Sequence, residues 1–81
     1  MSKSLRSPAH EALCAFIRDA RKAAGLTQTQ VADKLERYQS YVAMLEGGER
    51  KIDVIEFIQI AKAIGFDPAE AVRKLAKVSE E

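Results

Sequence analysis

The sequence predicts an all-α protein, a compact bundle of about five helices. Three observations carry that expectation. Apolar residues recur at helical spacing, as in Leu13, Ile17 and Ala20 and again in Phe57, Ile60, Ala61 and Ile64. Start and stop signals punctuate these stripes: Ser7-Pro8, Thr27 with Gln30, Asp53 with Glu56 and Asp67-Pro68 open helices, and Gly25, Gly48 and Gly65 close them. The chain has 81 residues, 47% hydrophobic and 31% charged, which is room for one small soluble domain. A chain of this size buries only about 60–65% of its unfolded surface, so a modest helical core is expected and dimerisation would enlarge it.

Residues 1–7, MSKSLRS, read as a flexible polar arm, with Lys3 and Arg6 able to touch phosphates. The domain proper spans residues 8–78, and 79–81 form a frayed tail. The first helix runs from about Pro8 to Ala24. Ser7 caps it, and Pro8 sits at the first helical position, where its missing N–H costs nothing. Leu13, Ile17, Ala20 and Ala24 make its inward stripe, widened by Phe16. Cys14 is the single cysteine, so no internal disulfide forms, and its spacing suits a small buried apolar residue. His10 is the single histidine, without a partner at ligand spacing, and reads as an exposed first-turn residue rather than a metal ligand. Arg18, Arg21 and Lys22 lie where the helix dipole favours cations.

From Gly25 to Gly48 the chain reads as two short helices joined by a tight turn. Gly25 suits a left-handed helix end, and Leu26 is the apolar residue that follows such a cap. Thr27 and Gln30 form a capping box for the second helix. Val31 and Leu35 share one face, and small Ala32 allows a steep crossing with the next helix. In that third helix, about 39–46, Val42 and Leu45 turn inward while Gln39, Ser40, Ala43 and Met44 turn outward. This is helix-turn-helix geometry, whose second helix can enter a DNA major groove. Gly47-Gly48 end it; with no strand before them and no GK[ST] after them, they are not a nucleotide-binding loop.

Asp53 and Glu56 box the start of the fourth helix, with Val54, Phe57, Ile60, Ala61 and Ile64 as its core face. Ile55 and Ile58 are surplus apolar residues, to be covered by the last helix or by a second subunit. Asp67-Pro68, with Glu70 two residues on, opens the fifth helix, whose packing stripe is expected to be Val72, Leu75 and Ala76.

The segments Arg21-Lys-Ala-Ala-Gly25-Leu-Thr-Gln28, Val31-Ala32-x-x-Leu35 and Gln39-Ser-Tyr-Val42-x-x-Leu45-Glu46-Gly-Gly-Glu-Arg50 lead into IDVIEFIQIAKAIGFDP. Together they resemble the Cro/repressor-type, or Xre-like, helix-turn-helix family over most of the chain. The resemblance implies a lambda-repressor-like DNA-binding domain with the helix-turn-helix at helices 2 and 3. It implies a sequence-specific transcriptional regulator of prokaryotic or phage type, acting as a homodimer on a double-stranded DNA operator. Base contacts would fall to Gln39, Ser40, Ala43 and Met44, and backbone contacts to Gln28, Arg37, Tyr38, Arg50 and Lys51. Gln can bond adenine, Ser reads several bases, and apolar groups meet the thymine methyl. Arg21 and Glu46 match a family ion pair, expected to be partly buried and bidentate. Three positions depart from the family: Glu36 replaces the turn glycine, Tyr38 the usual capping residue, and Met44 a polar base reader.

The net charge of +1, from 13 basic and 12 acidic residues, argues against a dedicated nonspecific binder but leaves room for one positive face. The alternative is a helical protein-interaction module, antitoxin-like or partner-binding, that kept the fold with weak or no DNA binding. It gains if Glu36 and Glu49 neutralise a face built from Gln28, Lys34, Arg37, Arg50 and Lys51. No catalytic constellation, metal, cofactor or small-molecule ligand is expected. No apolar run reaches the ~18 residues of a membrane span and no signal peptide is visible, so a cytoplasmic, nucleoid-associated protein is expected. The dimer is expected to form through the fourth and fifth helices, around Ile55 and Ile58.

Overall fold

Side-chain oxygens set four of the five helix starts. The computed structural model describes residues 7–79 and holds α1 (Pro8–Ala23), α2 (Gln28–Leu35), α3 (Gln39–Gly47), α4 (Val54–Ile64) and α5 (Pro68–Ser79). The expected N-terminal arm falls, apart from Ser7, outside the described residues, as do residues 80 and 81 of the tail. Ser7 Oγ accepts from the His10 amide at 3.1 Å. Thr27–Gln30 and Asp53–Glu56 both form reciprocal capping boxes. Asp67 Oδ1 accepts from the Ala69 amide at 3.0 Å. α3 begins at Tyr38, which makes no side-chain cap, because a phenol cannot fold back on the first-turn amides as a short oxygen does.

α1 packs on α3 and α5, and α2 packs on α3 and α4. Ile17, Val31, Val42, Leu45 and Ile60 are the largest fully buried side chains, one or two from each of α1 to α4. Phe66, in the loop before α5, meets Phe16 edge-on at 5.0 Å and Phe57 at 5.6 Å, joining α1 to α4. Gly48 ends α3 with φ +76° and is buried, and a Cβ built there would lie 4.0 Å from Cys14 Sγ on α1. Glu36 adopts the same left-handed region, φ 59° and ψ 44°, with a side chain that disfavours it.

Several side chains face differently from the stripes expected of them. Ala24 is exposed because α1 ends at Ala23 and Ala24 is its C-cap. Val54 is 72% exposed; it stands at the first position of α4, turned away from the Phe57, Ile60, Ala61 and Ile64 face. On α5 the inward residue is Ala71, 1% exposed, with Leu75 half-buried one turn on. Val72, 53% exposed, and Ala76 each lie about 100° around the helix from that line and point outward. His10 is half-buried rather than exposed, its Nε2 3.6 Å from Cys14 Sγ. Cys14 is buried, and burial first, then the charge of Glu11, push its thiol pKa up. Among the described residues no helix is long and apolar enough to cross a membrane.

Candidate nucleic-acid interface

Local chain geometry sets the angle between α2 and α3. After Leu35 the left-handed Glu36 reverses the backbone, and the Arg37 amide donates back to the Ala32 carbonyl at 2.9 Å. Tyr38 then returns to extended backbone and α3 begins. Val31 and Ala32 of α2 meet Val42 and Leu45 of α3 in the core, with Ala32 only 1% exposed. On the opposite side of α3, Gln39, Ser40 and Met44 are exposed and Ala43 is half-buried. Their i, i+1, i+4, i+5 spacing makes them one face. Arg37 and Tyr38, both exposed, border its N-terminal end, and Arg50 and Lys51 follow its C-terminal end. Lys34, Glu36, Arg37 and Lys62 line an open groove between α2 and α4 that continues the cationic edge.

A partly buried ion pair holds this face to the rest of the domain. Arg21 Nε donates to Glu46 Oε2 at 2.6 Å and Nη2 to Oε1 at 3.0 Å, while Nη1 donates to the Leu26 carbonyl at 2.9 Å. The two side chains are 11% and 6% exposed. The hydrogen bond to Glu46 raises the Arg21 pKa further above its ordinary value, so the cation is permanent. Gln28 Nε2 donates to Glu46 Oε1 at 3.0 Å, and Gln39 Nε2 donates to Gln28 Oε1 at 2.6 Å. A chain of four side chains thus runs from the partly buried guanidinium of α1 to the outer face of α3. Gln28 is held inside this chain, with its amide nitrogen and oxygen both engaged.

A second cluster lies at the other end of α3. Tyr41 is only 8% exposed, and its hydroxyl donates to Glu56 Oε2 at 3.0 Å. Arg50 Nη2 donates to the same oxygen. Glu56 Oε1 accepts from the Asp53 amide at 3.0 Å, completing the α4 capping box. The guanidinium carbons of Arg37 and Arg50 lie over the Tyr41 ring, 4.5 and 5.0 Å from its centroid. Burial, then the hydrogen bond with Glu56 and the charge of that carboxylate, push the Tyr41 pKa up, against the pull of the two arginines. Arg50 is therefore engaged within the domain, whereas Lys51 is exposed. Tyr41 and Glu56 organise this cluster, a role that the helical stripes do not mark. A signal existed, since Tyr41 lies one turn before buried Leu45 and one turn after Arg37. Among the described residues no three His, Cys, Asp or Glu side chains converge as metal ligands would.

The helix-turn-helix family model matches residues 17–71. Among solved structures, the XRE-family like protein from Pseudomonas syringae pv. tomato is similar with a TM-score of 0.84 and 40% identity, over 93% of this chain and 92% of that one. The restriction-modification controller protein C.AhdI from Aeromonas hydrophila is similar with a TM-score of 0.70 and 28% identity, over 75% and 88%. The clp gene regulator ClgR from C. glutamicum is similar with a TM-score of 0.76 and 25% identity, over 85% and 90%. No curated protein matches the chain.

Proposed function

Because this chain belongs to the XRE-like helix-turn-helix family, we propose that it is a sequence-specific DNA-binding transcriptional regulator of prokaryotic or phage type, acting as a homodimer in the nucleoid. One observation carries the reading: the exposed face of α3 is fastened through Gln39, Gln28 and Glu46 to the partly buried Arg21 of α1. Such bracing is what base readout needs, because a bidentate contact tolerates little angular play. With Gln28 accepting one Nε2 hydrogen, Gln39 keeps a second N–H and its carbonyl oxygen, the pair that matches adenine N7 and N6. Ser40 reads a neighbouring base, and Ala43 and Met44 meet a thymine methyl. Arg37, Tyr38, Lys51, Gln28 and Arg50 approach the sugar-phosphate backbone on either side. The similar structures of a restriction-modification controller and a clp gene regulator support control of gene expression here.

The exposed apolar side chains of α4 and α5, namely Val54, Ile55, Ile58 and Val72, supply the dimer surface. A single-domain binder gains from that arrangement, since two copies of α3 then enter successive major grooves about 34 Å apart. A second reading, a helical interaction module, draws support from the neutralisation of Arg50 by Glu56.

Selection from a random duplex pool at near-physiological salt, with sequencing of the bound DNA, tests the proposal. The expected result is a two-fold symmetric site with half-site centres about ten base pairs apart. A lone half-site would remove the symmetric dimer, and absence of enrichment would overturn DNA reading in favour of the interaction module.

A further inference from the structure

We propose that Glu56 masks Arg50 in the free protein, and that DNA binding hands the Arg50 guanidinium from the Glu56 carboxylate to a backbone phosphate. The inference rests on the DNA-binding reading above and adds a control element to it. Arg50 follows the C-terminal end of α3 and is a cation placed to follow the groove edge. Its Nη2 is nevertheless spent on Glu56 Oε2. The pair contributes no net charge toward a phosphate while it stays closed.

Three features make the exchange feasible. The side chains are 36% and 14% exposed, so Arg50 reaches solvent and is held only as a partly exposed pair is held. Glu56 does not depend on Arg50 for its partners: its Oε2 keeps the Tyr41 hydroxyl and its Oε1 keeps the Asp53 amide. Departure of Arg50 therefore leaves no orphaned carboxylate. The Tyr41 ring, 5.0 Å from the guanidinium carbon, gives Arg50 a surface on which to remain while its N–H groups change partners.

Glu56→Gln keeps the oxygen that caps α4 and removes the charge. Titration of wild type, Glu56→Gln, Arg50→Gln and the double variant with one selected duplex over a salt series measures the mask. Glu56→Gln should bind roughly five- to tenfold tighter at 0.1 M salt with an unchanged log–log salt slope, because both proteins end on the same phosphate, whereas Arg50→Gln should flatten the slope by about 0.9, the increment for one phosphate. The gain should vanish when Arg50 is also replaced. A gain of equal size without Arg50 would reduce Glu56 to a general negative charge and overturn the proposal, as would weaker binding by Glu56→Gln.

Elution from heparin, a polyanion without base sequence, separates this inference from the DNA reading. Later elution of Glu56→Gln than of wild type, abolished by Arg50→Gln, supports the mask even if no duplex is selected. Co-elution of Glu56→Gln with wild type overturns it. On the wild-type protein, whose fold is not in question, the Arg50 Nε–H resonance should move when duplex is added, and a stationary signal overturns the hand-over.

Discussion

Two arginine–glutamate pairs brace α3, Arg21–Glu46 from the side of α1 and Arg50–Glu56 from the loop and α4. Their chemistry is the same and their surroundings differ. Arg21 and Glu46 are 11% and 6% exposed, and every bond they make ends on another part of the domain, including Leu26 and Gln28. Arg50 and Glu56 are 36% and 14% exposed, and the carboxylate has two further donors of its own. Breaking the first pair strands a charge away from water, whereas opening the second lets water or a phosphate take the vacated place. Burial, more than the identity of the two residues, decides whether an ion pair is a fixed strut or an exchangeable one.

The largest expected effect comes from attacking the strut. Glu46→Ala should cost about 3 kcal/mol and lower the melting temperature by more than about 10 °C, read by circular dichroism. A loss below about 1 kcal/mol would erase the contrast between the two pairs. A smaller effect is expected from Tyr41→Phe, which deletes one donor to Glu56 and should cost about 1 kcal/mol. It should also change the alkaline limb of stability. The Tyr41 pKa is raised above the usual 10.0, so its contribution is fully present below about pH 10 and is lost as pH rises through the folded value. Denaturant melts at several pH values should therefore decline less steeply above pH 10 in the variant, and parallel curves would show that Tyr41 is not the group titrating. The smallest effect lies in the turn between the helices. Glu36→Gly should relieve strain of up to about 1 kcal/mol at φ 59° and raise the melting temperature by a few degrees. If it instead destabilises, the Glu36 side chain holds the turn in a way its backbone angles conceal.

Much of the fold was legible because helix ends are local events. Thr27 with Gln30 and Asp53 with Glu56 each depend on residues three positions apart, and their geometry follows from side-chain length. The outward placement of Gln39, Ser40 and Met44 follows in the same way, once Val42 and Leu45 define the inner face of α3. Periodicity did less well where a helix offers two candidate stripes. Val72 and Ala76 are as regular a pair as Ala71 and Leu75, and only the approach of α5 to α1 selects between them.

Local residue chemistry placed the helix starts at Ser7, Thr27, Asp53 and Asp67, and the motifs from Arg21 to Arg50 placed the tight turn between α2 and α3 and the family to which the chain belongs. Tertiary packing decided which polar side chains meet across helices. Gln28 meets Glu46 across 18 positions and Tyr41 meets Glu56 across 15, so their partners depend on how three helices cross. It also decided that Arg50 ends on a carboxylate and that Val54 stands in solvent. Spacing along one helix specifies a face, but the neighbour that face meets is chosen by packing the whole domain at once.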